Sequence, residues 1–247
     1  MTGVRTLGSR SMRGWKTFSL FMQQEWRKFI TLVWKDLLSE FRTKELVSSM
    51  LMFALIVVVI FAFTFETGSS ATREAAPGLL WVAFTFASVL GLHRSMLHEV
   101  ERGSLHGLLL APLDRGLLFL AKAFGNIVFI SLIEIPTFLL AIVFFNLEVS
   151  TGWAKIAVIF LLGTIGFAAV GTLFSAIAVN TRTREIMLPI LLFPVQIPVI
   201  LSAVNATAGA LAGKTWSDLS GWLKILGGFD LVFILVCYVT FEYVLEE

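Results

Sequence analysis

Charged side chains are scarce in this chain. Asp, Glu, Lys and Arg make up 15% of its 247 residues, whereas apolar residues make up 57%. Soluble domains carry about 25% charged residues, so a free-standing water-soluble enzyme could not bury this much apolar surface. Intrinsic disorder is excluded as well, because it requires few hydrophobic residues and high charge. The single cysteine, Cys237, excludes an internal disulfide, and the net charge of +2 gives no indication of a nucleic-acid partner.

Six long stretches are almost free of charge. A helix rises about 1.5 Å per residue, so it needs about 20 residues to cross about 30 Å of hydrocarbon. The stretches are long enough, and they lack the charged outer face of a soluble bundle helix. We therefore predict an all-α integral membrane protein with six transmembrane helices. The predicted spans cover residues 46–65, 75–92, 117–147, 154–181, 186–213 and 223–245.

The basic residues are distributed unequally about these spans. Fifteen of the nineteen Lys and Arg residues precede span one or lie in or beside the links between spans two and three and between spans four and five. The other four are Arg73, Lys155, Lys214 and Lys224. Short loops rich in Lys and Arg stay in the cytoplasm, so we expect both termini to be cytoplasmic.

The segment before span one has two parts. Residues 1–25 are basic and variable in character, and they are interpreted either as a transit-peptide-like leader or as a bacterial extension or misassigned start. Residues 26–247 are expected to form a single membrane domain. Within it, apolar residues recur at helical spacing over 26–45 with basic residues between them, which predicts an amphipathic helix in the inner headgroup layer or against a partner protein.

The link between spans two and three, residues 93–115, is too polar to cross the membrane. Gly103 breaks a helical pattern, Ser104 can cap a new turn, and leucines follow. This pattern predicts a short cytoplasmic helix that binds a groove of a partner protein. In transporters driven by a separate motor, a helix of this kind is a coupling helix, which transmits the movement of a nucleotide-binding subunit. The candidate coupling residues are Arg94, His98, Glu99, Glu101, Arg102, Gly103, Leu105 and Leu108.

Eight segments form an ordered pattern over about residues 27–247. They are 34–42, 76–84, 91–94, 101–105, 108–115, 161–166, 188–198 and 229–231. In these segments the chain resembles the CcmB family, the membrane subunit of the ABC-type haem exporter of cytochrome c maturation. His106 departs from the family pattern, because an acidic residue is expected there.

The resemblance implies an ABC-type membrane domain and a set of partners. It implies a CcmA-type ATPase on the loop at 94–109, CcmC-, CcmD- and CcmE-type haem-handling proteins, and a homodimer in the complex. Haem is then the expected substrate, which either passes through this subunit or is released by a partner when ATP is hydrolysed. The expected location is the bacterial inner membrane, with the mitochondrial inner membrane as the alternative.

No nucleotide site is expected in this chain. The string at 209–215 has one residue too few between its glycines for a phosphate-binding loop, so ATP hydrolysis is expected on the partner. His93, His98 and His106 share one loop and are interpreted as protein contacts rather than haem ligands. The seven tryptophans lie mostly near span ends, which favours interface anchoring.

Five residues within the spans are candidates for transport or assembly. Glu134 is placed deep in span three, where a carboxylate costs a few kcal/mol unless it faces protein or water. It is interpreted either as a polar site for transport or assembly or as a protonated residue with a local partner. Pro136 frees a backbone carbonyl nearby. Asp230 is expected nearer the outer edge of span six, where solvation is easier. Pro194 and Pro198 are expected to kink span five.

Two further expectations concern the shape of the spans. The excess length of span five could be absorbed by tilt or by a re-entrant turn near Asn205 and Thr207. Small residues in span four, including Gly163, Gly166 and Gly171, predict a close packing face.

Three other function classes compete with this one. An ABC permease for another substrate stays open. An ion-coupled secondary carrier would need several intramembrane charges and an internal repeat. An intramembrane enzyme would need a nucleophile with a base or a metal-ligand cluster, and the sequence shows neither.

Overall fold

A computed structural model describes residues 5–66, 69–101, 114–149, 152–179, 181 and 184–244. Within those residues the fold is entirely helical. The helices are α1 (Arg5–Thr43), α2 (Glu45–Thr64), α3 (Ser70–Glu101), α4 (Arg115–Phe145), α5 (Trp153–Val179), α6 (Arg184–Leu211) and α7 (Trp216–Val244).

The six predicted spans are confirmed as helices. Each of α2 to α7 contains a segment that is long and apolar enough to cross a membrane. The main differences lie at the ends. Helix α3 starts before residue 75 and continues to Glu101, and α7 starts at Trp216 instead of 223. Polar residues continue these helices beyond the apolar stretch, and hydropathy alone does not register them.

Helix α1 is longer than the sequence pattern predicts, since it begins at Arg5 and passes through position 26 without a break. In the described part, Leu32 and Val33 are buried against the bundle. Trp26, Ile30 and Trp34 recur every fourth residue on a neighbouring face and are exposed. With 3.6 residues per turn, this arrangement gives α1 separate bundle-facing and apolar outer faces, as suits a helix at a membrane surface.

Helix α5 is the centre of the bundle and is the most buried of the six spans. A Cβ atom at Gly163 would meet the Trp81 ring at 2.3 Å, and one at Gly171 would meet Leu92 at 2.3 Å. The predicted packing face of small residues is therefore confirmed, and its contacts are made within this chain.

Helix α6 carries Pro189, Pro194 and Pro198 in its interior and still runs without interruption to Leu211. The re-entrant turn expected near Asn205 and Thr207 is therefore wrong. Both residues lie in continuous helix, where Asn205 donates to the carbonyl of Leu201 at 2.7 Å.

Trp81 also departs from expectation. It is 3% exposed and donates from its indole nitrogen to Thr207 Oγ1 at 3.0 Å. Phe84 and Phe160 pack edge-on against its ring, with centroids 5.7 and 5.8 Å away. This tryptophan is therefore a core residue that joins α3 to α6, and its assignment as an interface anchor is wrong. Trp26, Trp34, Trp153 and Trp216 are exposed, as interface anchoring predicts.

Candidate functional site

The candidate site lies at one end of the bundle. Consecutive spans joined by short links run in opposite directions, so the start of α2, the end of α3 and the start of α4 lie on one side. Residues 102–113, which we call the coupling segment, follow α3 and lead to α4 on that side, which we call the loop side.

Four charged side chains from three helices form a closed ring on the loop side. Lys122 of α4 contacts Asp36 Oδ2 of α1 at 2.8 Å and Glu99 Oε1 of α3 at 2.6 Å. Lys35 of α1 contacts the same Glu99 oxygen at 2.8 Å and Asp36 Oδ1 at 3.4 Å. Positive and negative groups alternate, and we call this set the charge ring.

Burial makes the charge ring costly to break. The side chain of Lys122 is 5% exposed, that of Glu99 9% and that of Asp36 12%. Removing one member of a buried ion pair costs about 3–5 kcal/mol, because its partner remains buried without compensation. The ring is therefore a strong polar tie between α1, α3 and α4.

Lys35 is the most exposed member of the charge ring, at 41%. Burial lowers the pKa of Lys35, but the hydrogen bond and charge of Glu99, together with the charge of Asp36, outweigh this effect and raise the pKa above its usual 10.5. Lys35 is therefore positively charged throughout the neutral range.

The predicted coupling residues have different environments. Glu99 is buried and belongs to the charge ring. Arg94 is exposed and donates from Nη1 to Ser49 Oγ of α2 at 3.0 Å. His98 and Glu101 lie in the last turns of α3. Arg102, Gly103, Leu105 and Leu108, and with them the predicted coupling helix, lie outside the described residues.

The start of α4 is attached to the end of α7. Asp114 caps α4 by accepting from the Gly116 amide at 2.8 Å. Arg115 donates from Nη1 to the carbonyl oxygen of Glu242 at 3.2 Å. Gly116 lies under the Tyr238 ring, where a Cβ would come within 2.4 Å. The start of α4 is thus attached to α7. The end of α3 is attached to α1 and α4, through the contacts of Glu99 with Lys35 and Lys122.

A cleft of about 350 Å³ opens beside the charge ring. Asp36, Glu99 and Lys122 form part of its wall, and the corner between α1 and α2 forms another part. His93 also lines this cleft. Among the described residues, no group of three or more His, Cys, Asp or Glu side chains could hold a metal ion.

Glu134 lies inside the bundle, as its position in the sequence predicted. It is 3% exposed, and its Oε1 accepts a hydrogen bond from Thr164 Oγ1 of α5 at 2.7 Å. Pro136 follows two residues later in the interior of α4. The carboxyl group thus faces protein and forms a polar contact between α4 and α5. Its role in transport or assembly stays a prediction.

The expected depth of Asp230 is wrong. Because α7 runs from Trp216 to Val244, Asp230 lies at its midpoint rather than near its outer edge. It is 5% exposed, and neither carboxyl oxygen has a hydrogen-bond partner. Gly166 of α5 leaves the space for it, since a Cβ there would meet Asp230 Oδ1 at 2.5 Å. Gln196 of α6 donates to the Gly166 carbonyl at 3.2 Å, so three helices meet at this polar position. Pro194 and Pro198, on either side of Gln196, lie inside α6.

Three of the four members of the charge ring were not predicted from the sequence. Lys122 and Lys35 contributed only to the count of basic residues and, for Lys35, to the amphipathic pattern of 26–45, and Asp36 was not singled out. A lysine seven positions into a membrane helix is itself a signal, because an intramembrane charge normally requires a partner. No pattern in the sequence shows which of the many acidic residues on the loop side supplies that partner.

The chain is similar to one family of known proteins. The family model described as "CcmB protein" matches residues 27–246. The chain is 27% identical over 199 residues to "Heme exporter protein B" of Haemophilus influenzae, covering 81% of this chain and 88% of that protein. It is 29% identical over 193 residues to the protein of that name from Pseudomonas aeruginosa, covering 77% and 84%. It is 30% identical over 191 residues to the one from Escherichia coli K12, covering 76% and 83%.

Proposed function

The chain belongs to the CcmB family, and we propose on this premise that it is the membrane subunit of an ABC-type haem exporter for c-type cytochrome biogenesis. The observation that carries the proposal is the match over residues 27–246, which covers all six spans and the loop between spans two and three. The relatives that carry the name "Heme exporter protein B" are bacterial. The proposed location is therefore a bacterial inner membrane.

In this proposal the loop side is cytoplasmic, since it carries most of the lysines and arginines. A CcmA-type ATPase binds residues 94–109 from that side. ATP closes the ATPase dimer, the loop moves, and the helices connected to it change position. This chain contributes the membrane path or the mechanical coupling, and ATP is hydrolysed on the partner.

The proposed complex contains two copies of this chain, because ABC exporters generally use about twice as many spans as one copy supplies. CcmC-, CcmD- and CcmE-type proteins handle the haem, which either passes through this subunit or is released from a partner. Glu134 and Asp230 are buried carboxylates within the described spans. In this proposal, either haem route depends on these two side chains.

The test is complementation of a strain that lacks this chain. Holocytochrome c should be absent in the deletion strain and restored by the wild-type gene. Replacing Glu101 and Arg102 by alanine should reduce both the co-purification of the ATPase and the yield of holocytochrome. The double replacement of Arg73 and Glu148, an exposed pair on the opposite side, is the matched control and should have little effect. Normal holocytochrome in the deletion strain would contradict the proposal.

The burial of Asp230 together with Glu134 is the one observation that favours a second candidate, an ion-coupled carrier. The two candidates differ in their energy source. Transport in sealed vesicles that requires the ATPase and ATP supports the exporter. Transport driven by an ion gradient without the ATPase supports the carrier.

A further inference from the structure

The charge ring joins α1 to both flanks of the coupling segment. Glu99 lies two residues before the end of α3, and Lys122 lies seven residues after the start of α4. Asp36 and Lys35 of α1 contact these two residues, Asp36 through Lys122 and Lys35 through Glu99. A movement of the coupling segment that displaces either flank therefore acts on α1 directly.

The link between α1 and the first span is short and bent. Lys44 is the single residue between α1 and α2, and its φ of 57° lies in the left-handed region, which non-glycine residues rarely adopt. The Lys44 amide donates to the Glu40 carbonyl at 2.7 Å, and Glu40 accepts from the Val47 amide at 2.9 Å. The two helices thus meet at a defined one-residue corner.

The cleft of about 350 Å³ lies on one side of the charge ring. It separates the α1–α2 corner from the end of α3. Outside the ring, α1 also contacts α4 through Phe29 and Phe124, whose ring centroids are 5.9 Å apart. The buried polar tie of α1 to α3 is therefore the ring itself, whereas its tie to α4 is both polar and apolar.

We propose that Lys122 is a positioning residue that makes α1 move as one unit with the flanks of the coupling segment, so that the ATPase stroke also displaces this surface helix. Lys122 has this role because it contacts an acidic residue of α1 and one of α3 from a third helix. The inference rests on the proposed function for the source of the movement. The attachment of α1 itself does not depend on that function.

The attachment can be measured on the full chain alone. The buried Cys237 is first replaced by serine, and spin labels are then placed at Thr31→Cys on α1 and Leu90→Cys on α3, since both positions are exposed. Lys122→Met keeps the length of the side chain and removes its charge. We expect the single narrow distance between the labels to be lost in Lys122→Met. It should be retained in Arg73→Met, which removes the cation of the exposed pair with Glu148.

A milder variant covers the case in which Lys122→Met fails to fold. Asp36→Asn keeps the size of the side chain and leaves the contacts of Glu99 with Lys122 and Lys35 in place. It should broaden the same distance without unfolding the bundle. An unchanged distance distribution in both Lys122→Met and Asp36→Asn would overturn the proposed attachment.

The mechanical consequence is measured on the assembled complex. Asp36→Asn should leave ATP hydrolysis near the wild-type rate and lower the yield of holocytochrome per ATP hydrolysed several-fold, because α1 then loses its ion pair with Lys122, keeps only the more exposed Lys35–Glu99 pair, and follows the stroke less closely. If α1 loosens and this ratio stays at the wild-type value, the positioning role is refuted while the proposed function stands. If the wild-type chain supports no holocytochrome formation, the proposed function fails and the attachment result is unaffected.

Discussion

Gly163 offers the sharpest test of the packing around α5. An alanine Cβ at this position would lie 2.3 Å from Trp81 Cη2 and 2.9 Å from Cζ3. The ring cannot withdraw freely, because Phe84 and Phe160 pack edge-on against it and Thr207 accepts its indole hydrogen bond. Overpacking of this kind costs about 1–3 kcal/mol. Replacing a helical glycine by alanine returns up to about 1 kcal/mol.

The net expectation for Gly163→Ala is therefore a loss of up to about 2.5 kcal/mol of unfolding free energy, with a central value of about 1 kcal/mol. The measurement is reversible unfolding of the purified chain in mixed micelles, followed by tryptophan fluorescence. The matched control is Gly125→Ala in α4, a buried helical glycine whose Cβ would have no atom within 4 Å. That variant should be as stable as the wild type or slightly more stable.

The comparison between the two variants carries the conclusion. The reasoning is refuted if Gly163→Ala and Gly125→Ala unfold at the same denaturant concentration. It is refuted equally if Gly163→Ala is destabilised while the near-ultraviolet circular dichroism of its aromatic cluster is unchanged, since the cost must come from displacement of the Trp81 ring.

Three further outcomes are expected. Trp81→Phe and Thr207→Val should each lower the free energy of unfolding of the chain. A double-mutant cycle of the two should give a coupling free energy of about 0.5–1.5 kcal/mol for the lost hydrogen bond. Additive effects of the two substitutions would contradict the contact. The folded-state pKa of Lys35 is raised above 10.5. Its contribution to the free energy of unfolding is therefore fully present below pH 10.5 and is lost as pH rises through the folded-state pKa. The stability difference between wild type and Lys35→Met should therefore stay constant from pH 6 to 9 and shrink above 10.5, and a change within the neutral range would count against the assignment. In a Cys237→Ser background, a membrane-impermeant maleimide should label Lys214→Cys in intact cells and Arg42→Cys only after permeabilisation; the reverse pattern would invert the proposed orientation.

The fold was largely predictable because its signal is local. Six apolar stretches of sufficient length define six spans, and the transfer of each helix into lipid does not depend on its neighbours. Helix ends were less predictable, since α7 begins in the polar turn at Trp216 and Ser217. For the same reason Asp230 was misplaced, because its depth depends on where the helix starts.

The candidate site was only partly predictable because its contacts are distant in the sequence. Glu99 stood out within a suggestive loop, but its pairing with Lys122 and Lys35 joins residues 23 and 64 positions away. The same applies to Trp81, whose partner Thr207 is 126 positions away. A tryptophan near a span end has the same local pattern whether it anchors at the interface or packs in the core.

The packing of α5 bears on how a movement at the loop side could cross the bundle. At Gly163 and Gly171 the neighbouring side chains occupy the space of a Cβ, so α3 and α5 are in close contact at two levels. Closely packed interiors transmit a displacement rather than absorb it. Helix α1 contributes Leu32 and Val33 to the buried core and is attached in addition through the charge ring. A displacement of α3 should therefore reach α5 as a rigid-body shift, whereas α1 follows α3 closely only as long as the charge ring, its ion-pair attachment to α3, is intact.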